Sequence, residues 1–261
     1  MQEIPPESGA SPLCAMAEAS FDHLLGGRVA FFQPRRGYRA AIDPVLLAAA
    51  TAAAAGESVL DLGCGAGAAS LCLASRVPES RLTGLEIQPD LAALARANAE
   101  ANGLGGRFQV HEGDLRRPPP HLATAGFDRV MANPPFLRPG HHTPSPSAGR
   151  AVAHGEFEAG LEQWLACAAR LLKPRGTLTL IHRADRLDEI LSLLHNRFGE
   201  VTICPLWPRA GVPARRVLVA ARLAVRSPAR LLAGLVLHAE DGAWTAQADR
   251  LLRHGDALPF T

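Results

Sequence analysis

Two stretches of this chain carry residue types at spacings that can do chemistry. The first is Asn133-Pro134-Pro135-Phe136, which follows an apolar run over 127–131. Successive prolines fix φ, remove two backbone donors and push Asn133 and Pro134 towards extended geometry. What remains is a surface of acceptors: the Asn133 side-chain oxygen and the Pro134 carbonyl can both accept from one amino group, and Phe136 offers a face to a planar group. That set suits an exocyclic NH2 on a base or a side-chain amide, whose conjugated lone pair is a poor nucleophile. Two acceptors on its hydrogens favour the pyramidal nitrogen and stabilise the positive charge that develops as it attacks carbon. The rest is alignment of the reacting atoms, and no strong base is required.

The second stretch is 59–68, V-L-D-L-G-C-G-A-G-A, an apolar run ending in a carboxylate and then Gly63, Gly65 and Gly67 on alternate positions. Glycine tolerates the backbone angles of a strand-to-helix turn and lets main chain approach a ligand closely. The loop therefore reads as a nucleotide site. Gly63, Gly65 and Ala68 also satisfy the looser dinucleotide fingerprint, so the glycines alone leave the nucleotide open. Asp61 discriminates. Beside a pyrophosphate it would repel, whereas it suits a ligand bearing an ammonium group. Glu86 ends the next apolar run at the interval expected of a ribose-binding acid, and a carboxylate can accept from both ribose hydroxyls. Asp114 follows the third run, where it can accept from an adenine amino group.

The elements that must position these residues follow from pattern. Apolar runs at 59–62, 81–87, 107–110, 127–131 and 177–181 alternate with helical segments after the glycine loop, at 89–102, 157–172 and 186–198. Strands alternating with helices, with polar residues where each strand ends, predict a doubly wound α/β sheet with ligands at its carboxyl edge. Stretches 201–206 and 217–223 pair as an antiparallel hairpin around a loop at 208–213. Upstream, Gly26-Gly27 and 28–33 suggest a short hairpin or strand. Asp43 is placed to cap a helix with Pro44 at its first position. A strand at 231–238 and a helix at 245–253 close the chain. Four segments result: a flexible tail at 1–20, an N-terminal segment with its helix at 21–56, a catalytic domain at 57–225 and an extension at 226–261.

The glycine stretch resembles the first motif of class I S-adenosylmethionine-dependent methyltransferases, and Asn133 to Phe136 resembles the (N/D)-P-P-(F/Y/W) signature of those acting on planar nitrogens. Leu25-Gly26-Gly27-Arg28, Gln33-Pro34-Arg35-Arg36-Gly37-Tyr38-Arg39 and Ile42-Asp43-Pro44-Val45-Leu46-Leu47 look like the start of the tRNA1(Val) adenine-N6 methyltransferases, as do 150–154 and 235–242. That resemblance implies a Rossmann-like seven-stranded sheet with helices on both faces, S-adenosylmethionine (SAM) as cofactor and S-adenosylhomocysteine as product. It also implies a flipped adenine of tRNA held by Asn133, Pro134, Pro135 and Phe136. Tyr38 and Asp43 would border the cofactor with Asp61, Gly63, Gly65, Gly67, Glu86, Asp114 and Asn133. Many relatives carry Thr where this chain has Ile42, so a hydroxyl contact there does not transfer. Guanine N2 of rRNA and glutamine N5 of a protein are alternatives within the same chemistry, and a SAM- or RNA-binding module without turnover is the alternative from another class.

Bulk properties add a partner. The 261 residues carry a net charge of only +2, but 23–42 and 201–239 contain no acid. Arg35, Arg36 and Arg39 in the one, with Arg209, Arg215 and Arg216 in the other, predict a basic face for an RNA backbone. Five scattered cysteines without a Cys-x-x-Cys pair, and histidines without ligand spacing, predict neither a disulfide framework nor a metal site. The apolar stretch 45–55 is too short to span a bilayer and no signal pattern opens the chain, so a cytoplasmic protein, taken as a monomer, is expected.

Overall fold

The computed structural model describes residues 19–35, 40–122, 126–136 and 159–260. Its centre is a mixed sheet with strand order β10-β8-β9-β7-β6-β3-β4-β5. In chain order these are β3 (Ser58–Leu62), β4 (Arg81–Glu86), β5 (Phe108–Glu112), β6 (Phe127–Ala132), β7 (Leu172–Arg183), β8 (Phe198–Trp207), β9 (Arg216–Leu223) and β10 (Arg230–Leu231). A further strand, β11 (Leu235–Val236), also lies along β8. Strands β3 to β7 run parallel, and β9 runs antiparallel between β7 and β8. Parallel strands are covered on both faces, which is why the central ones read as unbroken apolar runs.

One face carries α1 (Asp43–Ala50), α2 (Ala68–Arg76) and α3 (Pro89–Ala101), together with the end of the chain. The other carries α4 (Leu161–Leu171) and α5 (Leu187–Leu194). The doubly wound sheet is thus as expected, but among the described residues it has nine strands rather than seven. The stretch anticipated as one strand at 231–238 breaks at Gly234 (φ +87°), whose Cβ position lies 2.4 Å from the Pro205 carbonyl oxygen. The chain therefore pairs with β8 in two short pieces.

A separate hairpin of β1 (Ala19–Leu24) and β2 (Val29–Pro34) docks on α3 through side chains that imitate a strand. The Ala30 and Phe32 N–H groups donate to the Asn102 and Asn98 side-chain oxygens at 3.0 and 2.7 Å. The two amides return bonds to the Ala30 and Phe32 carbonyls at 2.7 and 2.8 Å. Ala19 and Ser20, assigned to the tail from sequence, belong to β1, and the rest of that tail lies outside the described residues. Residues 246–254 form a last helical segment, after which the Leu258 N–H donates to the Ala49 carbonyl. Among the described residues no helix is long and apolar enough to cross a membrane.

One consequence of register organises everything functional. Strand β3 lies between β4 and β6, so the order of the chain reverses there, and crevices in open α/β sheets form beyond the carboxyl ends at such a point. Leu62 pairs with Ala132. The residues that follow, Gly63 and Asn133, are therefore neighbours although 70 positions separate them in the sequence.

Candidate functional site

The glycine loop leaves β3 in left-handed conformations, with φ of +68° at Gly63, +55° at Gly65 and +88° at Gly67. At Gly63 the demand is steric as well, because a Cβ there would lie 2.2 Å from the indole of Trp164, a buried side chain of α4. At Gly65 a Cβ would meet nothing within 4 Å, so this part of the loop faces open space. The Gly63 and Cys64 N–H groups donate to the Leu85 carbonyl, which ties the turn to the end of β4.

Two buried carboxylates flank the loop. Glu86, 4% exposed, accepts from the Gly65 N–H at 2.8 Å and from the Gln88 N–H at 2.9 Å. Each of its oxygens thus carries one backbone bond and keeps acceptor capacity for a further donor. Burial raises its pKa above the ordinary carboxylate range, against the backbone bonds that lower it. Asp61, 3% exposed, accepts from the Ser70 hydroxyl at 2.7 Å, which anchors the first turns of α2. Burial pushes it up to about 7, with the Glu86 charge adding to the effect. Asp114, just past β5, accepts from the Arg116 N–H and guanidinium at 2.8 and 2.7 Å, and that guanidinium holds its carboxyl low.

On the other side of the crevice, Asn133 is half-buried, Pro134 buried, Pro135 exposed and Phe136 half-buried. The Phe136 ring meets His182 edge-on with centroids 5.3 Å apart, and the Arg216 guanidinium carbon lies 4.3 Å from its centroid. Arg216 Nε donates to Asp43 Oδ2 at 3.1 Å. Asp43 is the first residue of α1 rather than its cap. Ile42 holds the cap position with helical angles, and the Asp43 carboxylate turns to Arg216.

The structure thus brings Asp61, Gly63, Gly65, Gly67 and Glu86 together around one loop, with Asn133 to Phe136 beside it and Asp43 reaching the same edge through Arg216. Tyr38, Arg36 and Arg39 lie outside the described residues, as does the segment from 137 to 158 that follows Phe136. Arg35 is exposed and donates to the Ala19 carbonyl. Arg209 and Arg215 are exposed in the loop joining β8 to β9, which opens on the same sheet edge as Asn133.

His182 and Ser70 were not singled out from sequence. His182 is fully buried at the carboxyl end of β7, and neither ring nitrogen has a hydrogen-bond partner among the described residues. Burial lowers its pKa to about 4, so the ring is neutral at pH 7. A histidine closing the apolar run Leu178-Thr179-Leu180-Ile181 was the available signal, since polar groups at the ends of parallel strands gather at the crevice.

Residues 43–205 match the family model described as the methyltransferase small domain. A tRNA1(Val) (adenine(37)-N6)-methyltransferase from Porphyromonas gingivalis is 35% identical over 179 residues, covering 64% of this chain and 69% of that protein. A protein of the same description from Aeromonas hydrophila is 31% identical over 205 residues, 78% of this chain and 84% of its own length. Among solved structures, a predicted O-methyltransferase from Agrobacterium tumefaciens is similar with a TM-score of 0.69 and 29% identity, covering 83% of this chain and 98% of that one.

Proposed function

The chain belongs to the methyltransferase small domain family, and from that premise we propose that it transfers a methyl group from SAM to the N6 amino nitrogen of an adenine in tRNA. The observation that carries the reading is the Leu62–Ala132 register, which sets the glycine loop and the acceptor loop side by side. A methyl donor and a methyl acceptor must meet in that way.

The residues present fit the cofactor. Glu86 keeps acceptor capacity for a vicinal diol, the Gly65 backbone faces open space, and Asp61, at the head of the loop, is a carboxylate that meets no cation among the described residues. SAM supplies an electrophilic methyl on a sulfonium. The chain supplies everything else. Glu86 orients the ribose, Asp61 with the start of α2 receives the amino-acid end, and Asp114 borders the adenine. Asn133 and the Pro134 carbonyl accept from the two hydrogens of the target amino group, while Phe136 holds the flipped base by its face. These acceptors would turn the nitrogen's lone pair towards the methyl and meet the charge that develops on nitrogen; the N–C bond would form as the S–C bond breaks to leave S-adenosylhomocysteine, and the nitrogen would then lose one proton to water. Arg209 and Arg215, with the arginines near 35–39, attract the phosphate backbone. A tRNA substrate places the chain in the cytoplasm, and a single chain is taken as the working unit.

The test is methyl transfer from labelled SAM to tRNA, rRNA and protein of a strain lacking the gene, with modified nucleosides identified by mass spectrometry. N6-methyladenosine in tRNA is the expected product, after which mapping asks whether it is the adenine 37 named for the relatives. Label as N2-methylguanosine in rRNA, or on a protein glutamine, would keep the chemistry and overturn the substrate. No label with SAM still bound would favour a non-catalytic module.

A further inference from the structure

The arginine that the sequence groups with an RNA-binding face is already engaged inside the site. Arg216 starts β9 directly opposite Arg183 of β7, one register step from the pair His182–Val217. Its Nε is held by Asp43, a residue 173 positions away, while its guanidinium carbon lies over the Phe136 ring. These contacts use two properties that only arginine combines: an N–H donor at the edge and a flat cationic face. Among the described residues Arg215, its exposed neighbour, makes neither the Asp43 nor the Phe136 contact.

We propose that Arg216 is a positioning residue: clamped by Asp43, it backs one face of Phe136 and fixes the ring plane on which the methyl acceptor stacks. The inference rests on the acceptor-loop reading above. Phe136 follows two prolines, so its backbone is restricted on the N-terminal side, but χ1 and χ2 of the side chain remain free unless something holds the ring. Arg216 covers a face and His182 meets the ring at an interplanar angle of 83°, and the two contacts together leave the ring one orientation. A planar acceptor then takes the face turned away from the guanidinium. A cation behind an aromatic ring also draws π density away from the opposite face, which favours stacking of an electron-rich base there. His182 is neutral at pH 7, so no second cation competes at the ring edge.

Arg216→Lys decides between this role and the two simpler ones, because lysine keeps the charge that would neutralise Asp43 or attract phosphate and loses the planar stack. We expect kcat for methylation of an unmodified tRNA transcript to fall about tenfold or more, as small misplacements of reacting groups do. KM for SAM, melting temperature and the salt dependence of tRNA affinity should stay at wild-type values. In a Phe136→Leu background, which has no ring to position, the same change should cost less than about twofold. Wild-type kcat in Arg216→Lys, or an undiminished loss in the leucine background, overturns the proposal. A second readout needs no turnover: 4-fluorophenylalanine placed at position 136 should give one 19F resonance that shifts and broadens in Arg216→Lys. A resonance indifferent to that change also overturns it. If the wild-type chain transfers no methyl group to tRNA, the adenine reading has failed, and the 19F measurement still decides the role of Arg216.

Discussion

Two groups of carboxylates, one at each end of the central sheet, are handled in opposite ways. At the amino end three acids each meet a cation. Arg129 donates to both oxygens of Glu57 at 2.9 Å, Lys173 reaches Asp128 at 2.7 Å and Arg222 reaches Glu200 at 3.1 Å. Partial burial pushes Glu57 and Asp128 up, but their partners outweigh it, leaving Glu57 below the usual range and Asp128 at about 2. At the carboxyl end Asp61 and Glu86 are almost wholly buried, bonded only to a hydroxyl and backbone N–H groups, and raised. The same strands run through both ends, so the contrast belongs to the residues placed there. Glu57, Asp128 and Glu200 are neutralised within the chain, whereas Asp61 and Glu86 meet no cation among the described residues; Asp43 and Asp114, at the same end as these two, are paired with Arg216 and Arg116.

Breaking the carboxyl end at its acceptor loop should have the largest effect. Asn133→Ala removes one of two acceptors on the target amino group, and kcat should fall by about 10²–10³, the loss typical of one oriented group at a developing charge. SAM affinity, measured by calorimetry, should hold. Activity surviving that change would sink the acceptor assignment. Glu86→Ala comes next: SAM affinity should weaken by about 2 kcal/mol, the scale of charged hydrogen bonds. Loss of the Gly65 and Gln88 bonds will also loosen the glycine loop, so Glu86→Gln, which keeps an acceptor oxygen, should recover part of that affinity.

How far the sequence discloses these two ends differs for a physical reason. Val59 to Leu62 and the run before Ala132 are legible because strands buried on both faces must be apolar throughout, and the glycines because positive φ restricts the choice of residue. Sheet and glycine loop were therefore readable one element at a time. Pairings across the chain were not. Nothing local in Asn98 and Asn102 says that they would replace a strand beside β2, and Asp43 looks like a helix cap until Arg216 is brought to it. Arg216 itself is indistinguishable by type from Arg215 next to it. His182 closes a legible apolar run, but its burial against Phe136 depends on tertiary structure.

Titration sharpens the contrast without altering a side chain. Asp61 has a folded pKa of about 7, above the value near 4 of an unfolded chain, so its contribution to stability is full below about pH 4 and is lost as pH rises through 7. An ammonium bound beside it favours the carboxylate and pulls that pKa down. SAM binding below pH 7 should therefore take up the charge by releasing a proton, and affinity should climb with pH and level off above about 7. Calorimetry in buffers of different ionisation enthalpy counts that proton, and Asp61→Asn should abolish both the release and the slope. A slope that survives in Asp61→Asn would move the titration to another group.

The smallest effect belongs to the amino end. Asp128 is held at about 2, so the stability it contributes is present above about pH 4 and disappears as pH falls through 2, the reverse of the Asp61 direction. Its side chain is 27% exposed, and solvent screening limits the pair with Lys173 to about 1 kcal/mol. The Ser58 N–H and hydroxyl also donate to it, at 2.9 and 2.7 Å, so Asp128→Asn keeps one acceptor and should lower the melting temperature by only a few degrees at pH 7. At pH 3 that difference should shrink, because the same carboxyl in the unfolded chain, with its ordinary value near 4, is already mostly protonated there. At each pH, SAM affinity and kcat of Asp128→Asn should equal those of the wild type. A cofactor effect of Asp128→Asn as large as its stability effect would mean that the two ends of β6 are coupled through the strand, and that the division between a stabilising edge and a ligand edge is wrong.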